Sequence, residues 1–102
     1  MMSQRWIEFD TDATGSTDIG QAIRDAFAAL EQAQPPGVKL AYWKMTGQNR
    51  FVALIELDEE SPNPLLTMPA AAALPQVIGR HVDGGYPVPQ PLKLMGAYGF
   101  QL

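Results

Sequence analysis

An α+β architecture, with one four-stranded antiparallel sheet covered on one face by helices, is what this 102-residue chain predicts. Three observations lead there. Segments of period-two and helical apolar patterning follow one another in the order strand, helix, strand, strand, helix, strand. A turn of polar residues and glycine joins the two central strands, which makes them antiparallel neighbours. Each helical segment lies between strands, where it serves as a crossover.

The first strand is Arg5 to Asp10. Ile7 and Phe9 point to one side, and Trp6, Glu8 and Asp10 to the other. A polar stretch from Thr11 to Thr17 leads to Asp18, where a helix is expected to start, capped by Ser16 or Thr17 and favoured by the acid at its positive end. Ile19, Ile23, Phe27 and Leu30 form its apolar stripe. Pro35, Pro36 and Gly37 end it. Val38 to Met45 is rich in β-branched and aromatic residues, Thr46-Gly47-Gln48-Asn49 supplies the turn, and Arg50 to Asp58 returns as a strand. In that strand Phe51, Ala53, Ile55 and Leu57 make a wholly apolar face, assigned to the core.

Seven of the nine prolines fall between Ser61 and Pro91, so one long helix cannot run through this segment. Two short helices are expected, over 64–73 and 75–82. Asn63 caps the first ahead of Pro64, and Leu74-Pro75 opens the second. Asp83-Gly84-Gly85 stops the helical part, and Tyr86 to Pro91 reads as an extended, polyproline-like connector. A last strand from Leu92 to Phe100 is predicted to carry Leu92, Leu94, Tyr98 and Phe100 on one face, with Gly96 and Gly99 marking a kink. The complete order is the ferredoxin-like βαββαβ fold, one domain over residues 1–102.

Composition removes several classes of function. With no cysteine, disulfides and thiolate metal sites are excluded. Eleven acidic against seven basic side chains give a net charge of −4, the wrong sign for nucleic-acid binding. The longest apolar region, Leu65 to Ile78, is broken by Pro69, Pro75 and Gln76 and is too short for a membrane helix. Glu8 and Asp10 interrupt the N-terminal region before an apolar signal core develops, so a cytoplasmic chain starting at Met1 is expected. The chain has no GxSxG elbow, phosphate loop or GxGxxG turn, and no cofactor is predicted.

Helices on one face leave the other face of the sheet to water, yet the alternation is not clean. Trp6, Val52 and Leu54 oppose the core positions. The strand at 38–45 has Leu40 and Tyr42 on one side and Ala41, Trp43 and Met45 on the other, so an aromatic ring stays on the uncovered face in either orientation. Such a patch marks an interface, and a second copy of the chain is its simplest cover. A homodimer enclosing room for a small organic molecule is therefore expected.

In size, element order, two-sided sheet and the acidic turn Asp58-Glu59-Glu60-Ser61-Pro62 leading into a proline-interrupted segment, the chain resembles the dimeric α+β-barrel superfamily, which includes the antibiotic-biosynthesis monooxygenase-like proteins. That superfamily holds cofactor-independent oxygenases, haem-degrading enzymes, isomerases and dehydratases. The resemblance implies a fold and a dimer rather than one reaction.

Trp6, Glu8, Arg50 and Glu56 share the uncovered face by parity, and because Tyr42 and Trp43 lie on opposite sides of their strand, one of those two rings joins them there. Trp6, Tyr42, Trp43 and Tyr98 are candidate walls for a flat apolar or aromatic ligand, with Arg50 holding an anionic group on it. Glu8 and Glu56 are candidate general bases, each as a carboxylate whose partial desolvation raises its pKa, and a salt bridge to Arg50 or Lys44 explains them equally. If the domain is an enzyme, cofactor-independent oxygenation or proton-transfer isomerisation fits these groups, with Arg50 stabilising developing negative charge. The alternative is a non-catalytic association module whose aromatic residues fill a dimer seam. His81, the one histidine, is read as a helix-end cation beside Arg80 rather than a haem ligand. Asp58, Glu59 and Glu60 are read as a solvated turn rather than a metal site.

Overall fold

The computed structural model describes residues 2–100. Strands β1 (Met2–Asp10), β2 (Val38–Lys44), β3 (Arg50–Asp58) and β4 (Gln90–Leu92) alternate with helices α1 (Ala13–Ala33), α2 (Pro64–Thr67) and α3 (Pro69–His81). The sheet runs β2-β3-β1-β4, antiparallel throughout, with the two strands that follow crossovers at its edges. This is the ferredoxin-like topology, consistent at the superfamily level with an α+β-barrel type of fold.

One face of the sheet and the inner faces of α1 and α3 make the core. Ile7 and Phe9 of β1 and Phe51 and Ala53 of β3 meet Ile19 and Ala26 of α1 and Leu74 and Ile78 of α3. Phe9 and Phe51, directly opposite in register, stack with ring centroids 5.3 Å apart. Of the apolar stripe expected of α1, Ile19 is buried, Ile23 packs half-buried against the core and Phe27 meets Tyr42, while the helix's other buried positions, Gly15 and Ala26, lie outside that stripe.

Helix α1 starts five residues before the expected Asp18. Its cap is Asp12, whose carboxylate accepts the Gly15 amide at 2.7 Å, so Ser16 and Thr17 lie within the helix. The early start brings the first turn against the end of α3, where the Thr11 hydroxyl donates to the His81 carbonyl at 2.8 Å. Only a glycine fits there, because a β-carbon at Gly15 would stand 1.9 Å from Thr11 Oγ1 and 2.9 Å from His81 Cβ. The His81 ring reaches Asp18, with Nε2 3.0 Å from a carboxylate oxygen.

The proline-rich segment breaks at a different place from the one expected. Asn63 caps α2 through the Leu65 amide and Pro64 opens it, as the sequence indicates. The interruption, however, falls at Met68, extended at φ −81° and ψ 122° ahead of Pro69, and not at Pro75. Residues before proline are biased away from helix. Leu74, also followed by proline, escapes that bias because it, Ala71 and Ile78 are buried in the core and hold α3 through Pro75.

The last strand lies earlier than expected and is shorter, three residues in place of nine: Gln90 and Pro91, expected in the connector, pair with β1, and of the expected strand only Leu92 does. Gln90, Pro91 and Leu92 pair with Trp6, Arg5 and Gln4. Continuing that register, Lys93 and Leu94 would face Ser3 and Met2, where β1 itself begins. Beyond Leu94 no partner on β1 remains; the segment 93–100 lies off the sheet edge, and Leu94, Met95, Tyr98 and Phe100 are all exposed.

Candidate functional site

The register decides which side chains share the uncovered face. One row across the sheet is Ala41, Leu54, Trp6 and Gln90; the next is Trp43, Val52 and Glu8; on the other side lie Lys39, Glu56, Gln4 and Leu92. A band of apolar groups thus crosses the middle of the face between two more polar ends. Of the four aromatic candidates, Trp6 and Trp43 are here. Tyr42 stands opposite Ala53 on the covered side, with its ring 6.2 Å from that of Phe27 in an edge-on contact. Tyr98 belongs to the departing segment, fully exposed and off the sheet, so the four rings do not form one wall.

At one end of the face, Arg50 joins Glu8 and Asp10. Its Nη2 is 2.5 Å from Glu8 Oε2 and its Nη1 2.7 Å from Asp10 Oδ2. The other Glu8 oxygen accepts the Trp6 indole N–H at 3.0 Å. The Trp6 hydrogen bond first, and Arg50 second, hold the Glu8 carboxyl below its ordinary value. This reverses the raised pKa expected of a general base at that position. Arg50 in turn is held above its ordinary value by Glu8 and then Asp10. Both branches of the guanidinium are engaged by carboxylates, and none of the principal cavities includes Arg50 or Glu8.

Glu56 lies at the opposite end, six residues along β3 and so roughly 20 Å from Arg50. It accepts a hydrogen bond from Gln4 at 3.3 Å. Here the departing C-terminal segment borders an open cavity of about 690 Å³ beside the sheet. Its floor is Ala41 and Leu54, its polar wall is Gln4, Lys39 and Glu56, and its outer wall is Leu94, Ala97 and Phe100. An apolar body with a few converging polar groups is what a small-molecule site requires.

The sequence reading had placed Leu94 and Phe100 on a strand and did not include Gln4 or Lys39 in the site. The parity of Gln4 with Trp6 on β1, and of Lys39 with Ala41 on β2, is the signal that finds those two polar residues. No local pattern announces that residues beyond 92 border the cavity. Asp10, the second partner of Arg50, was also missed as a site residue, although it shares parity with Glu8.

On the covered side, a small void of about 40 Å³ lies among Leu40, Tyr42, Leu65, Pro75 and Tyr86. Burial raises the Tyr42 phenol first, with Tyr86 beside it adding to the effect, and burial likewise raises Tyr86. Among the described residues, no cluster of three or more histidines or carboxylates is placed to hold a metal ion, and no helix is long and apolar enough to cross a membrane. No protein-family model, curated protein or solved structure matches the chain.

Proposed function

We propose that this chain is a homodimeric binding domain that takes a small apolar or aromatic molecule between its open sheet face and its C-terminal segment. The observation that carries the reading is the apolar band Ala41, Leu54 and Trp6, flanked by Val52 and Trp43, which runs into the 690 Å³ cavity on a face that no helix covers. A second copy set against this face buries the two indoles and closes the cavity. Glu56 and Gln4 then present an acceptor and an amide to a polar substituent of the ligand, while Leu54, Leu94 and Phe100 contact its body.

A binding role is favoured over the oxygenase or isomerase roles by one observation. Arg50, the group expected to stabilise developing negative charge, is held by Glu8 and Asp10 at the far end of the face, away from the cavity's carboxylate. The test is a fluorescence titration of the full chain with 1-naphthol, read through the two tryptophans. Saturable binding weakened by Leu54→Gln and by Glu56→Gln supports the reading. Binding that does not saturate, or that neither substitution alters, removes it.

A further inference from the structure

A second groove, of about 440 Å³, runs between the N-terminal half of α1 and the outer edge of β2, on the side of the sheet opposite the cavity described above. Its charge is unlike that of the rest of the molecule. In a chain with eleven acidic and seven basic side chains, this groove is lined by Arg24 and Lys44 and by no carboxylate. Among the described residues, neither cation forms an ion pair, and Arg24 donates only to the neutral Gln21 Oε1 at 3.1 Å. Lys44 lies opposite Phe51 in register and so belongs to the helix side of β2.

Apolar side chains line the same groove, from Ile23 of α1, Tyr42 of β2 and Phe51 of β3. Gly20 keeps it open: a β-carbon there would meet nothing closer than Arg24 Nη1, at 3.7 Å. An apolar lining with two uncommitted cations fits a ligand whose flat hydrocarbon part seats against it and whose anion meets a guanidinium fork and an ammonium. We infer that the groove between α1 and β2 binds a small aromatic carboxylate, with Arg24 and Lys44 holding the anion over Ile23, Tyr42 and Phe51.

The experiment is an amide-resolved NMR titration of the full chain with benzoate, benzamide and inorganic phosphate in turn, at constant ionic strength. Benzoate should shift residues 16–24 and 42–44 saturably, and more tightly than either of the other probes. Arg24→Gln and Lys44→Gln should each weaken benzoate by about fivefold or more, the loss of one charge-assisted contact. Gly20→Leu, which fills the groove and suits a helix better than glycine, should abolish binding, and its amide dispersion reports in the same spectra that the fold is kept. Equal binding of benzamide or phosphate, or benzoate affinity unchanged in both charge variants, overturns the assignment. The 1-naphthol site reports separately through Gln4, Leu54 and Glu56, so either site can fail without the other.

Discussion

Glu8 and Arg50 are diagonal neighbours across β1 and β3, Arg50 standing directly opposite Asp10, with the Glu8 carboxylate 2.5 Å from the guanidinium and its second oxygen taken by the Trp6 indole. The pair converts what alternation alone presents as two reactive groups into a mutually satisfied cluster with Asp10. Its remaining property is a pH dependence.

Because the folded state holds Glu8 below its ordinary value, through Trp6 first and Arg50 second, the folded chain binds fewer protons than the unfolded chain as pH falls through the carboxylate range. The stabilisation is complete above that range and is lost as pH drops through the lowered value. Melting temperatures followed from neutrality into acid should therefore fall more steeply for the wild type than for Glu8→Gln. Parallel curves would contradict the assignment.

The opposite sign applies on the covered side. Burial raises the Tyr42 phenol above its ordinary value of 10.0, so its contribution is complete below that value and is lost as pH climbs above it. Denaturant midpoints should decline above about pH 10, and Tyr42→Phe should flatten the decline.

The contact of α1 with α3 tolerates no side chain at Gly15. Gly15→Ala would force its methyl into Thr11 Oγ1 and His81 Cβ, breaking the Thr11 hydroxyl bond to the His81 carbonyl. Overpacking of this kind costs about 1–3 kcal/mol, which exceeds the roughly 1 kcal/mol that alanine gains as a helix former. Thermal melts should show a net fall of several degrees, and Thr11→Ala in the same chain should restore part of it.

At the other end of α1 the expected change is favourable. Gln34 caps the helix in the left-handed region, at φ 47°, while its amide donates to the Leu30 carbonyl at 2.7 Å. Gln34→Gly relieves the β-carbon crowding and keeps that bond, so chemical denaturation should register a gain of about 0.5–1 kcal/mol.

The exposed walls of the cavity offer a separation of binding from folding. Leu94→Ser with Phe100→Ser changes two exposed side chains that lie outside the core, so stability should stay within about 0.5 kcal/mol of the wild type. Affinity for 1-naphthol should nevertheless fall, because the outer wall of the cavity is lost.

What alternation and turn chemistry specify was readable from the residues: Ile7, Phe9, Phe51, Ala53 and Ile55 are buried, and Thr46 to Asn49 joins an antiparallel pair. The misreadings have tertiary causes. The cap at Asp12 is reinforced by the packing of Gly15 on His81, a neighbour distant in sequence. Pro75 sits inside a helix because Leu74 and Ile78 are buried around it. The strand expected to Phe100 cannot run past Leu94, because in this register its partner β1 begins at Met2, which depends on register rather than local propensity. For the site, parity brought Glu8 beside Arg50 but could not separate Tyr42 from Trp43, since both faces of β2 carry an aromatic ring.

Sedimentation equilibrium of the full chain at micromolar concentration addresses the uncovered face directly. A particle of about 22 kDa, twice the 11.1 kDa of one chain, that dissociates when Trp6→Lys places a charge in the middle of the apolar band is the expected outcome. A wild-type particle of 11.1 kDa would show Trp6, Leu54 and Trp43 stable against water, and the binding domain built on their burial would fall with it.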